Sequence, residues 1–215
     1  MITFETIYQA RSILHNLIME KWLSQDVFSA QWWGIVAIIV FSYIFVFSII
    51  DKKRFTQILL FGSLMAVSIT TYDLFGANFG LWGYNVRLFP VIPGVFLYDY
   101  TVIPLYYMLI YQYSPNWKMF LVWNSVFAGF IGLVFLPALV TFEIMSFRNW
   151  LPIYQSIAPF VFGLLNRAIV LGTLKAEKNR LHYAPSAIGS LSPQPAMKPT
   201  ENDEIKDNKD NPTDK

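Results

Sequence analysis

The sequence predicts an all-α, multi-pass transmembrane bundle of five helices, with an N-terminal amphipathic helix and a disordered C-terminal tail. Three observations predict it. Only 14% of the 215 residues are charged, where a soluble domain carries about 25%. Hydrophobic residues make up 55% of the chain and mean hydropathy is +0.42. Five apolar runs each approach the roughly 20 residues that a helix needs to cross about 30 Å of hydrocarbon.

The elements follow in order. Residues 1–30 form an amphipathic segment in which Ile7, Ala10, Leu14, Leu17, Ile18 and Trp22 recur at three- and four-residue steps, while Gln9, Ser12, Asn16 and Glu20 fall on other faces. Such a helix is too polar to span and suits the membrane interface or the mouth of the bundle. Its first ten residues hold Glu5 and no basic group, so no cleaved leader is expected. The spans fall at residues 32–50, 55–75, 93–113, 119–142 and 151–174, making 31–183 the membrane domain. Residues 76–90, rich in glycine and aromatics, read as a loop or re-entrant cap. From 184 to 215 there is no aromatic residue, and the six acids and four lysines leave −2. This tail has too little apolar surface to offset its ordering entropy.

Lipid cannot hydrogen-bond a peptide group, so each span must satisfy its backbone internally or close into a barrel. Barrel strands are about ten residues long and alternate in polarity, whereas these runs are continuous and longer, so helices are predicted. Pro104, Pro137 and Pro159 each remove a helical donor and are expected to kink their spans.

Orientation follows from basic residues beside the span ends. Lys52, Lys53, Arg54, Lys118, Lys175, Lys178 and Arg180 fall on one side, and Arg11, Lys21, Arg87 and Arg148 on the other. The richer side is expected in the cytoplasm, placing the N-terminus outside and the C-terminus inside the cell membrane.

The same composition excludes several functions. The chain has no cysteine and only His15 and His182, so thiolate catalysis, disulfides and imidazole-held metals are not expected, and no cofactor is predicted. No basic stripe marks a nucleic-acid interface. The familiar hydrolase, metalloprotease and nucleotide-binding motifs are missing. What remains is a set of polar residues inside oily runs. Helical rise puts Asp73 about 3 Å and Asp99 about 9 Å inside the outer ends of their spans. Burying a carboxylate there costs a few kcal/mol, so both should face protein or water.

Asp99 is expected to pair with Arg87, with Tyr98 or Tyr100 nearby, either as an ion, proton or headgroup pocket or as a cap pinning the loop. On the cytoplasmic side Asn124, Asn166 and Arg167 are expected to meet around an anionic headgroup, with snorkelling of Arg167 as the alternative. Gly62 with Ala66, and Ala128 with Gly132, offer seams for close helix approach, within the chain or between copies in a homo-oligomer.

Two resemblances bear on function. Tyr72-Asp73-Leu74-Phe75, Leu81-Trp82-Gly83-Tyr84-Asn85, Pro93-Gly94, Tyr98-Asp99-Tyr100 and Trp123-Asn124 resemble a family of small five-span membrane proteins of spore-forming Gram-positive bacteria. That likeness covers about residues 30–175 and implies a location without an activity. Asp73 to Tyr107 is also faintly similar to the membrane domain of bacterial lycopene cyclases, in which an Asp, a W-x-[YF]-N turn and a proline precede acidic residues thought to protonate a polyene. Here Pro93 is followed by Gly94-Val95-Phe96, and the first acid is Asp99.

The first functional expectation is therefore a non-enzymatic membrane component that binds lipid or a partner protein. The alternative is an isoprenoid-modifying enzyme with Asp73 and Asp99 as catalytic acid and base. The third is a carrier for a small cation or proton.

Overall fold

The computed structural model describes residues 2–90, 96–148 and 150–183, with side chains through Asn179. The tail at 184–215 lies outside the described residues. The chain forms two units, Met1–Gly172 and Thr173–Lys215. In the second, the described residues continue a helix whose side chains from Lys175 to Asn179 are exposed.

Helix α1 (Phe4–Lys21) starts where Thr3 caps the Thr6 amide. It buries none of its residues and runs into a π-helical turn, Trp22–Asp26. Helix α2 (Ala30–Ile49) is capped by Ser29 and ends before Asp51. A 3-10 turn, Lys52–Arg54, leads into α3 (Phe55–Asn78). Gly80, at φ 68°, ends that helix in the left-handed conformation that glycine adopts at no steric cost.

Strand β1 (Trp82–Tyr84) follows, and after it a π-helical turn, Phe96–Val102, leads into α4 (Ile103–Tyr113). Asn116 caps α5 (Trp117–Phe130), which passes through another π turn, Ile131–Phe135, into α6 (Leu136–Thr141). Strand β2 (Met145–Phe147) pairs antiparallel with β1, Trp82 opposite Phe147 and Tyr84 opposite Met145. Helix α7 (Ile157–Tyr183) ends the described chain.

The prolines act through their missing N–H and ring clash. Pro104 and Pro137 each sit at the start of an α-helix directly after a π-helical turn, the wider winding that a proline imposes on the carbonyls preceding it. Pro159 falls in the first turn of α7, where an absent donor costs little.

Four helical stretches are long and apolar enough to cross a membrane: Ala30–Ile49, Lys52–Asn78, Trp117–Thr141 and Pro152–Asn179. They coincide with four of the five expected spans. Residues 96–113 differ in character. Ile103, Leu105, Tyr107, Met108 and Tyr111 are all buried, so this helix is surrounded by protein and tolerates more polar residues. Gln112 bonds to the backbone of Ile49 and Asp51 at one end, and Tyr43 reaches the Tyr100 carbonyl nearer the other.

Polarity is inverted relative to a soluble fold. Phe41, Ile44, Val122, Val126 and Leu133 are exposed, while Asp73, Asp99, Asn124, Asn166 and Arg167 are each less than 5% exposed. Aromatic packing fills the centre: Phe61 stacks on Tyr111 at 4.5 Å and meets Phe120 edge-on at 6.0 Å. The small-residue seams lie within the chain. Gly62 faces Met108, and Gly132 faces Ile153 and Ser156.

Candidate functional site

Asp73 projects from the last part of α3 toward the short sheet. Its Oδ1 accepts a 2.8 Å hydrogen bond from Trp82 Nε1 and a second from the Tyr84 hydroxyl. The sheet holds these donors in place. The Ile144 carbonyl accepts from the Asn85 and Val86 amides, and Leu81 accepts from the Arg148 amide. Gly76, one turn beyond Asp73, leaves room for the indole, since a Cβ there would fall 1.8 Å from Trp82. Within residues 76–90, expected as a loop or re-entrant cap, Trp82–Tyr84 instead forms a strand paired with Met145–Phe147.

Asp99 comes from the π-helical turn facing α3. The Asp73 charge acts on it, and both carboxyls act on the Tyr98 hydroxyl. Asp73 Oδ2, Asp99 Oδ1, Tyr98 Oη and Thr70 Oγ1 are buried with no hydrogen-bond partner among the described residues. Burial, then the charge of and hydrogen bond to Asp73, then Asp99 and Tyr98, hold the Tyr84 hydroxyl well above the usual phenol range, so it remains a donor to Asp73.

The expected pairing of Asp99 with Arg87 is not formed. The Arg87 amide donates to Asp26 Oδ2 at 3.3 Å, and its carbonyl accepts from Trp22 Nε1 at 3.1 Å. Burial lowers the pKa of its guanidinium, against the opposing pull of Asp26 and Tyr84. The ion pair found among the described residues is Lys21 with Asp26, at 2.5 Å. Asp26 lies in the turn that ends the amphipathic segment, whose acids were not singled out in the sequence. Its sole signal there was its place five residues beyond Lys21.

The expected set of Asn124, Asn166 and Arg167 also separates. Tyr107 Oη lies 2.5 Å from Asn124 Oδ1 and 2.8 Å from the Pro159 carbonyl, while Asn124 Nδ2 donates to the Phe160 carbonyl at 2.9 Å. This junction ties α4, α5 and α7 together. Asn166 instead reaches Ser68 Oγ and Met65 Sδ on α3. Arg167 donates through Nη2 to the Ser114 carbonyl at 2.8 Å, with the rings of Phe120, Trp117 and Tyr111 at 4.4, 5.3 and 5.5 Å. It does not snorkel: at 3% exposure its guanidinium is held by carbonyl and aromatic faces.

Larger open spaces lie away from the acids: one of about 480 Å³ is lined by Ala30, Gln31, Gly34 and Ile38 of α2 with Thr141 to Ile144, and others run along α1. A cavity of about 490 Å³ is lined by Arg11, Leu14, His15, Ile18, Leu74 and Asn78, with Pro90. A second of about 170 Å³ is lined by Leu17, Ile18, Lys21, Asp26, Tyr84 and Arg87. They share Ile18. Beside the acids, a cavity lined by Tyr84 and Leu97 measures about 10 Å³. Among the described residues no group of three His, Asp or Glu is placed to hold a metal ion.

These features define a helical architecture with four helices long and apolar enough to cross a membrane, a buried acidic pair, and a groove lined by Arg11 and His15. No family model matches the chain, and no curated protein or solved structure is similar to it.

Proposed function

We propose that this chain is a five-span component of the cell membrane, N-terminus outside and C-terminus cytoplasmic, which binds an anionic lipid headgroup without catalysing a reaction. Connectivity supports the fifth span. Helix α3 begins beside Tyr111, through Gln57, and ends at the sheet, through Asp73. Helix α5 begins beside the far end of α4, where Arg167 reaches Ser114. This arrangement supports reading residues 96–113 as the return across the bilayer between them. The basic residues of 52–54, 118 and 175–180 support a cytoplasmic location for that end.

The observation that carries the binding reading is the α1 groove, which Arg11 and His15 line together with Leu14, Ile18 and Leu74. A guanidinium beside apolar side chains matches the phosphate and acyl chain of an anionic lipid. Ligand pockets measure roughly 300–1,000 Å³, so the larger cavity suffices.

Native mass spectrometry of protein from mixed phosphatidylglycerol–phosphatidylcholine nanodiscs tests this. Preferential retention of phosphatidylglycerol, lost in an Arg11→Gln, His15→Gln double variant, is expected. Equal retention of both lipids would remove the proposal. Orientation is checked in the cysteine-free chain by placing a cysteine at Ser190. It should react with an impermeant maleimide only after permeabilisation, and labelling of intact cells would reverse the topology.

A further inference from the structure

Asp73 and Asp99 lie on facing elements, α3 and the turn Phe96–Val102, and both are almost completely buried, at 2% and 1% exposure. No basic side chain acts on either carboxyl. Arg87, the cation of the connecting segment, feels the charges of Asp26 and Tyr84 rather than those of the pair, and its backbone amide donates to Asp26. The other titratable groups facing the pair are the phenols of Tyr72 on α3, Tyr84 on β1 and Tyr98 on the turn. Two buried carboxylates with no positive neighbour cannot both remain ionised, because desolvation and mutual repulsion act together. A proton or a cation between them relieves that repulsion.

The surrounding oxygens say where that charge fits. Asp73 Oδ1 is taken by Trp82 and Tyr84, while Asp73 Oδ2 and Asp99 Oδ1 have no partner among the described residues. Independently, Tyr98 is 5% exposed, its hydroxyl has no partner either, and it interacts with both acids. A hydroxyl buried this deeply is costly unless something accepts from it or donates to it. Carboxylate and hydroxyl oxygens, with no nitrogen or sulfur ligand, suit a hard cation.

We propose that Asp73, Asp99 and Tyr98 form a buried site for a single hard cation of the alkali or alkaline-earth class, in competition with protons. Access runs past Tyr84, which lines the cavity of about 170 Å³ beside Lys21 and Arg87 and touches Asp73 on its other side. This site is separate from the lipid groove and does not depend on it.

Trp82 provides the readout, because its buried indole is bonded to Asp73. Purified full-length protein is titrated with sodium chloride and, separately, calcium chloride at about pH 8 and about pH 6, against choline chloride at equal ionic strength, and fluorescence is recorded. The Trp82→Phe variant identifies that residue's share. A saturable response to one of these cations is expected, weaker at the lower pH. Asp99→Asn should weaken it at least about tenfold. Tyr98→Phe keeps both acids and the ring, and should weaken it several-fold while the protein stays monodisperse. Response to protons alone, or equal cation responses in wild type and Tyr98→Phe, would overturn the proposal.

Discussion

The indole Nε1 of Trp82 donates to Asp73 Oδ1 at 2.8 Å, joining the start of the short sheet to α3 nine residues earlier. Asp73 and Gly76 lie one helical turn apart and form a socket, the carboxylate holding the indole nitrogen and the glycine receiving its six-membered ring. Through Tyr84 and the β1–β2 pairing, this one carboxylate fixes the segment after α3 to the segment after α6.

Gly76→Ala is the direct test of that socket. The new Cβ would fall 1.8 Å from the Trp82 ring, and overpacking of this kind costs about 1–3 kcal/mol or more. Gly34→Ala is its control, since nothing lies within 4 Å of a Cβ there. Thermal unfolding in detergent should show a clear loss for Gly76→Ala. Gly34→Ala should be neutral or stabilising by up to about 1 kcal/mol, as expected for an exposed helix position.

Alkaline pH acts on the same cap. The Tyr84 hydroxyl is held above the usual range mainly by burial and by Asp73, so the folded state retains a proton that the unfolded state releases above about pH 10. With the folded pKa raised, this contribution is fully present below about pH 10 and is lost as pH rises toward the folded value. Tyr84→Phe removes that group from the titration. The fall in melting temperature between about pH 9 and pH 11.5 should therefore be shallower in the variant than in wild type.

What was legible in the sequence follows from which force set each feature. Helices Ala30–Ile49, Lys52–Asn78, Trp117–Thr141 and Pro152–Asn179 were readable because hydrocarbon thickness prescribes a run length. Asp73 and Asp99 were readable as buried groups because charges inside oily runs must face protein. Which side chain meets which was not. Arg87 was assigned to Asp99 because it lies in the joining segment, but the turn Trp22–Asp26 places Asp26 against its amide instead. Asn124 and Arg167 were assigned to one another by depth alone. Their azimuths on α5 and α7 send one to Tyr107 and the other to Ser114. The β1–β2 pairing joins residues 61–65 apart, with strands of three residues, too short for an alternating pattern.

The Asn124 junction should behave as a coupled unit. Asn124→Leu leaves the Phe160 carbonyl without the amide and Tyr107 without one acceptor. A loss of about 1–3 kcal/mol is expected for stranding such groups. In a double-mutant cycle with Tyr107→Phe, the two losses should sum to more than the double variant shows, with a coupling energy of about 0.5–3 kcal/mol. Simple additivity would mean the 2.5 Å contact contributes nothing of its own.

Arg167 decides between a structural clamp and a headgroup ligand. Its guanidinium lies 4.4 Å from the Phe120 ring centroid and donates through Nη2 to Ser114, while Nε and Nη1 have no hydrogen-bond partner among the described residues, a geometry that uses the planar, weakly hydrated face rather than charge alone. Lysine keeps the charge but loses both the stacking and the fork, and its more strongly hydrated ammonium would be carried into a site only 3% exposed. A clamp therefore predicts that Arg167→Lys lowers the melting temperature nearly as much as Arg167→Leu, with no change in copurifying lipid. A phosphate ligand predicts the reverse, since a lysine also serves as a point charge for phosphate: stability retained in Arg167→Lys, and anionic lipid lost only in Arg167→Leu. The contacts of the three rings and the carbonyl favour the first outcome. Melting curves of both variants in phosphatidylglycerol-containing and phosphatidylglycerol-free nanodiscs separate the two, because only a ligand makes the difference between variants depend on the lipid.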